Sequence, residues 1–441
     1  MRDNPLSLAR YFLAIRKVGQ LTWVRDRFDR YGDVYSAPFR NTDVVILRHP
    51  DDIHDVLVKQ ASSFKKLEDG ITFRQLSELL GNGLLNTNGD FWRRQRRMIQ
   101  PGFMRARLEG YAELMGRFAT EHVGRWKDGQ SLDVNGEMME LTQAIVAKTL
   151  FNHDITGDTD RVAEAMRTFR TSFGGIGAIL PDWIPTPGKR KARQARNAMD
   201  DVVYGLIDNH DGSEGDDLLS TLLAAVDEEG DGKGMDRKQL RDELLTLFIA
   251  GHDTTAHALT WALYLLAQNP DAEQRLQAEA DLALSQGPLD FHALERLPYT
   301  EQVINETLRL YPPAYAVPRQ AKEDVTIGGY HVPAGAHVVI WIYHVHHDAR
   351  WYPEPERFDP SRFEPERMAK LPRAAHLPFG AGTRACIGKH FALYEARLVL
   401  AAIAAKVRLR VEPGHVARPN FAVTLAPDGG MPMTVEARPA R

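Results

Sequence analysis

LPFGAGTRACIGKHFAL, residues Leu377–Leu393, contains the only cysteine in a chain of 441 residues. Around Cys386 stand Gly380, Gly382 and Gly388, with Arg384 two positions ahead of it. A cysteine kept for packing needs neither the glycines nor the arginine. A thiolate ligates zinc, iron–sulfur clusters or haem. Structural zinc and iron–sulfur sites draw on several cysteines, so a solitary one fits them poorly. Zinc held by one Cys and several of the 16 His stays formally open at this point. Haem asks the protein for one strong axial ligand, which matches the count. The glycines would let a tight loop turn backbone N–H groups toward sulfur, and Arg384 would pair with a carboxylate.

Working outward, the composition is that of a globular protein: 43% hydrophobic, 26% charged, 9% aromatic. A net charge of −4 argues against a nucleic-acid partner, which selects for basic excess. One cysteine permits no internal disulfide and suits a reducing cytosol. No apolar run reaches transmembrane length. The opening MRDNPLSLARYFLAIRKVG is broken by Arg10, Arg16 and Lys17, and reads as an amphipathic helix rather than a signal peptide. The chain is therefore expected to be cytoplasmic and without a transmembrane anchor.

DVYSAPFRNTDVVILRHP reads as a strand hairpin, followed by a helix from about Pro50 to Lys59. From Phe91 to about Gln286 the pattern is helical, with breaks at DWIPTPGKR and DEEGDGKGMD. VTIGGYHVPAGAHVVIWIY again alternates like strands, and the tail from about Val407 reads as strand and turn. The expectation is one large domain over 1–441, mainly α with small β-sheets. Its β-rich part falls at about 30–60 and 317–345, its helical part at about 91–310 and 387–406. The longest helix is expected from Asp236, as N-cap with Gln239, to the stop at Asn269-Pro270. Its middle, FIAGHDTTAHAL, interrupts an apolar pattern with Gly251, Asp253, Thr254 and Thr255. Thr254 can bond the Ala250 carbonyl and bend the helix there.

These residues together resemble the cytochromes P-450. FGAGTRACIG matches that family's haem loop, Phe-x-x-Gly-x-Arg-x-Cys-x-Gly, at Phe379, Gly382, Arg384, Cys386 and Gly388. ETLR matches its Glu-x-x-Arg helix signature at Glu306 and Arg309, and PERF supplies Arg357 as the third member of the family's buried ion triad. AGHDTT, Ala250–Thr255, resembles the oxygen-binding groove of the central helix that crosses the haem. WRRQR resembles the Trp-x-x-x-Arg motif, placing Trp92 and Arg96 at haem propionates, with Arg319 of VPRQ as another propionate partner. The motifs keep the family's order over nearly the whole chain.

The resemblance implies haem b with Cys386 as axial thiolate and O2 as co-substrate. It implies Asp253 and Thr254 as the acid–alcohol pair that delivers protons, with Phe379, Gly380 and Gly388 shaping the cofactor loop. Glu306, Arg309 and Arg357 would support the fold. Leu247, Phe248, Ala250 and Gly251, with Ala258 flanking, would line the pocket with Ala314, Val317 and Leu425. They imply a hydrophobic small-molecule substrate such as a terpenoid, steroid or fatty acid. Electrons would come from a separate ferredoxin and its NAD(P)H-dependent reductase, since no fused reductase is evident; the protein would act as a monomer. Exposed arginines among Arg93, Arg94, Arg96 and Arg97 would steer that donor. A peroxide-dependent peroxygenase and a non-catalytic haem sensor or electron carrier are the alternatives, the first disfavoured by the retained Asp253–Thr254 pair. His344, His346 and His347 read as core residues and DEEGDGKGMDRK as a solvated loop, since Lys238 stands where a calcium loop needs Glu.

Overall fold

Helix α1 (Gln20–Tyr31) leads into strands β1 (Val34–Phe39) and β2 (Thr42–Leu47), a helical turn at Pro50–His54 continued by a π-turn over Asp55–Lys59, and β3 (Phe64–Lys65). Helices α2 (Ile71–Leu80), α3 (Gly89–Ile99) and α4 (Arg105–Val123) follow. Next come β4 (Ser131–Asp133), α5 (Val134–Phe151), α6 (Pro187–Asp208), α7 (Leu218–Ala224) and α8 (Arg237–Gln268). Helices α9 (Pro270–Ser285) and α10 (Pro298–Leu310) precede β5 (Val317–Ala321), β6 (Val325–Ile327), β7 (Tyr330–Val332) and β8 (His337–Ile340). The chain closes with α11 (Lys389–Lys406), β9 (Val407–Val411), β10 (Pro419–Phe421), β11 (Leu425–Pro427) and β12 (Pro432–Ala437). This computed structural model describes residues 19–39, 42–68, 71–152, 168, 186–210, 215, 217–227, 229–230 and 232–439. The expected opening helix and the first four residues of DWIPTPGKR (182–185) lie outside them. Among the described residues, no helix is long and apolar enough to cross a membrane.

The contacts divide the chain into two compact units, Met1–Leu67 with Asn305–Ile387, and Glu68–Ile304 with Gly388–Arg441. The first holds a five-stranded sheet in the order β1-β2-β8-β5-β3. The predicted hairpin forms with Val34 opposite Leu47, and β2 runs parallel to β8. Alternate residues of these strands, among them Val45, Leu47, Val338 and Ile340, are fully buried in one apolar cluster with Ile53 and Val56. The segment expected to continue as strand after Ile340 instead turns helical at Ile342–His346. That turn buries Ile342 in the same cluster and sends His346 inward.

A buried ion network anchors this unit. Glu306 and Arg309, one turn apart on α10, are both fully buried. Arg309 donates to both Glu306 oxygens, at 2.6 and 2.9 Å, and to the carbonyls of His346, Pro355 and Arg357. The third cation expected here was Arg357, and the structure corrects that. The Arg357 side chain is exposed and pairs with Glu354 at 3.0 Å, lending the network only its carbonyl. Arg362 takes the place, its Nε 3.5 Å from Glu306. Arg357-Phe358 and Arg362-Phe363 repeat one dipeptide, and only the chain's path chooses between them.

In the second unit the small sheet β4-β12-β9 and the β10–β11 hairpin accompany the helices. Helix α8 starts where expected, with the Asp236 carboxylate accepting the Gln239 N–H at 2.8 Å. It ends at Gln268, before Pro270 opens α9. Most of its residues are buried around the whole circumference, as befits a helix inside a core. Helix α5 packs along it so closely that a Cβ on Gly251 would stand 3.1 Å from Val146. Gly251, expected among the pocket-lining residues, therefore meets α5 on the side where a side chain would stand.

Candidate functional site

In the first unit the cysteine loop is set by glycine conformation and by a histidine behind it. His346 is buried, which holds its imidazole well below its usual pKa and neutral, so Nε2 accepts the Leu377 N–H at 2.9 Å. The chain then turns at Gly380 (φ 68°) and Gly382 (φ 72°), in the left-handed region that favours glycine. A Cβ on Gly382 would also lie 2.0 Å from the Leu57 carbonyl oxygen. The Phe379 carbonyl accepts the Cys386 N–H at 2.9 Å, closing the loop with Cys386 exposed and Phe379 half-buried. Gly388 differs: its φ is −87° and nothing comes closer to a Cβ there than Phe103 at 3.7 Å. It serves as N-cap of α11, a place where many residues would fit.

Cations gather beside this loop within the same unit. Arg319 lies on β5 and Arg384 in the turn before Cys386. β3 pairs with β5 antiparallel, Lys65 opposite Gln320, so the next residue, Lys66, follows toward Arg319. Burial, then repulsion from Arg384 and Arg319, pushes Lys66 down to about 7. Burial alone lowers Arg319 to about 10. Such a cluster suits a ligand that carries carboxylates, and with an exposed thiol it fits a haem with its propionates. The sequence motifs located Arg319 and Arg384. They missed Lys66, for which a lysine at the end of a two-residue strand gives no signal.

In the second unit, where the groove is expected on α8, the helix has a window in its burial. Ala250 is exposed and Gly251 and Thr254 are half-buried, although Leu247, Phe248, His252, Asp253 and Thr255 around them are buried. Ala250 and Thr254 are four residues apart and share a face. Thr254 donates to the Ala250 carbonyl at 2.8 Å and Thr255 to that of Gly251 at 3.0 Å, as the sequence suggested for the first. Asp253 faces away from solvent and accepts from the Thr424 hydroxyl at 2.8 Å. His257 Nε2 lies 3.6 Å from the same carboxylate oxygen. Neither partner was foreseen, though the i, i+4 spacing of Asp253 and His257 is legible on a helix.

The remaining expected residues divide. Trp92 and Arg96 share a face of α3, with the Arg96 guanidinium 5.8 Å from the indole centre. Ala314 is exposed and Val317 half-buried. Leu247 and Phe248 are buried, Phe248 against the rings of Phe151 and His252. Leu425 is fully buried and Ala258 nearly so, which makes both core positions rather than open lining. The arginines of α3 are also less available than expected. Asp227, buried in the DEEGDGKGMDRK loop, accepts from Arg97 at 2.8 Å and faces Arg94 at 3.5 Å. Arg94 further donates to the Lys233 and Gly234 carbonyls. That loop is thus a clamp on α3 rather than a merely solvated turn, and Arg93, paired with Asp90, is the more exposed cation.

Comparison with known proteins gives the family. The family model described as Cytochrome P450 matches residues 3–430. The chain is 35% identical over 408 residues to cyclooctatin synthase of Streptomyces melanosporofaciens, covering 90% of this chain and 87% of the relative. It is 33% identical over 403 residues to pentalenene oxygenase of Streptomyces avermitilis, covering 90% and 88%. Identity to the putative cytochrome P450 132 of Mycobacterium bovis is 31% over 451 residues, covering 93% and 95%. The chain belongs to the cytochrome P450 family and is a monooxygenase of that haem-iron class.

Proposed function

We propose that the protein holds haem b through the Cys386 thiolate and oxygenates a terpenoid, drawing electrons from a separate ferredoxin and its NAD(P)H-dependent reductase in the cytosol. The observation that carries the cofactor reading is the exposed Cys386 beside Arg384, Arg319 and Lys66. Arg384, Arg319 and Lys66 would meet the carboxylates. Haem ligated by a thiolate supplies the activation of dioxygen. The chain's own part is to orient substrate and move protons. Thr254, now bonded to the Ala250 carbonyl, has a hydroxyl that can turn to donate to reduced oxygen. Asp253, the preceding residue, would resupply that hydroxyl once its carboxylate turns from Thr424.

The substrate class rests on two supports. In the second unit the exposed Ala250, and in the first the exposed Ala314 and half-buried Val317, are each small and apolar, which favours a hydrocarbon frame. The names cyclooctatin synthase and pentalenene oxygenase belong to relatives that act on terpenoids. This favours a terpenoid over the steroids and fatty acids that the sequence left equal.

The test is a difference spectrum of the reduced protein with carbon monoxide, then titration with pentalenene, a steroid and a fatty acid. The expected results are a red-shifted thiolate-type Soret band that Cys386→Ser abolishes, and a spin shift for the terpenoid at the lowest concentration. A normal band in the Cys386→Ser variant would sink the ligand assignment. Preference for the fatty acid or steroid would overturn the substrate class.

A further inference from the structure

Asp253 sits in a chain of polar groups that its pairing with Thr254 does not explain. Asp253 and His257 lie one turn apart on α8 and are only 7% and 3% exposed. The Asp253 carboxylate oxygen Oδ2 accepts from Thr424 Oγ1 at 2.8 Å and stands 3.6 Å from His257 Nε2. The other ring nitrogen, Nδ1, is 3.1 Å from Oδ1 of Asn135 in the first turn of α5. That turn is fixed by its cap, the Asn135 N–H donating to Asp133 at 3.2 Å. Thr260 also reaches toward Asn135 Oδ1, at 3.5 Å, while donating to the Ala256 carbonyl at 2.7 Å.

The chemistry of these atoms dictates where protons sit. An amide oxygen only accepts, so His257 Nδ1 carries hydrogen. A neutral ring would then present a bare Nε2 lone pair to a carboxylate oxygen in a buried place, where the two repel. A hydrogen bond into the carboxylate from Thr424 favours its charged form, and an acceptor at Nδ1 favours the charged ring. Burial penalises either charge alone, so it is these two hydrogen bonds together with the opposite charge at 3.6 Å that favour imidazolium facing carboxylate.

We propose that His257 is the proton store for Asp253, with Thr424 and Asn135 holding carboxylate and ring in register. The proposal rests on the reading of Asp253 and Thr254 as the acid–alcohol pair. The Nε2 proton moves to Asp253 Oδ2, and Asp253 passes it to Thr254 as the Thr254 proton goes to reduced oxygen. This leaves a neutral ring and a carboxylate, whose repulsion draws a new proton to Nε2 from water. The half-buried Asn135 and Thr424 mark the two places where the chain approaches solvent. A monooxygenase turnover takes up two protons, so a one-proton store that supplies both empties and refills twice in each cycle. His257 and Thr424 act through Asp253 and are positioning residues.

Two measurements on the holoenzyme test this. In the reduced carbon monoxide form with 15N-labelled histidine, both ring nitrogens of His257 should carry protons at neutral pH, and Asp253→Asn should leave only Nδ1 protonated. With a plant-type ferredoxin, its reductase and no substrate, His257→Phe should lower the water-to-peroxide ratio from oxygen reduction about tenfold or more. Thr424→Val should lower it too, with Thr424→Ser restoring it, which keeps the test sound should His257→Phe fail to fold. An unprotonated Nε2 in the parent enzyme, or an unchanged ratio in the folded variants, overturns the proposal. Thr254→Ala separates the failures. If it leaves the ratio unchanged, the acid–alcohol reading itself falls; if it alone lowers the ratio, only the proton store does.

Discussion

Arg362→Ala should destabilise the protein while Arg357→Ala leaves it nearly unchanged, although the motif PERF points to Arg357. Glu306 is fully buried and accepts from Arg309 twice and from the Asp359 N–H at 2.8 Å. Arg362 Nε stands 3.5 Å from it, on a side chain only 11% exposed. At an effective dielectric of about 20, that separation corresponds to roughly 5 kcal/mol of gross attraction. Desolvation of the guanidinium and the charge already matched by Arg309 offset most of it. A net loss of about 1–3 kcal/mol is the expectation for removing one charged partner of a buried carboxylate. Arg357 is 64% exposed and pairs with Glu354, itself 71% exposed. Its link to Arg309 is a backbone carbonyl that alanine keeps, so the change should stay within about 0.5 kcal/mol. Urea unfolding followed at the Soret band gives the comparison, read as a midpoint shift at constant slope. A midpoint lowered as much by Arg357→Ala as by Arg362→Ala would refute the reasoning.

Other outcomes follow from the same geometry. Gly382→Ala forces a Cβ toward the Leu57 oxygen and adds left-handed strain of about 1–2 kcal/mol, so haem content should collapse; Gly388→Ala, with φ −87° and open space, should keep it. The Soret-to-protein absorbance ratio reports both. Lys66 is held down to about 7 by burial, below the 10.5 of an unperturbed lysine, so over that interval the unfolded chain binds more protons. Stability of the haem-free protein should therefore rise as pH goes from about 7 to 10.5, and Lys66→Gln should flatten that rise in denaturant midpoints. Asp227→Asn should release Arg94 and Arg97 from their shared carboxylate, and reduction by an acidic ferredoxin should then quicken at low salt and lose the gain at high salt. No quickening at any ionic strength would show that α3 does not guide the donor.

Much of the site was legible because its chemistry needs particular residues at short spacings. Cys386 with its glycines, the pair Ala250 and Thr254, and the Asp236 cap are each local, within a turn or two of chain, so the sequence alone singles them out. Local steric rules also decided the β1–β2 hairpin and the stop at Pro270. The tertiary structure decided which distant groups complete those pieces. It chose Arg362 over Arg357 for Glu306, since two Arg-Phe pairs five residues apart look alike until the chain is folded round them. It brought Lys66 toward Arg319 through the register of β3 and β5, and Thr424 onto Asp253 across 171 positions. It also gave the space beside Gly251 to Val146 and buried Leu425. Backbone conformation and helix periodicity act over a few residues and can be read in one dimension. Burial and charge pairing depend on neighbours far apart in sequence, and only the folded chain names them.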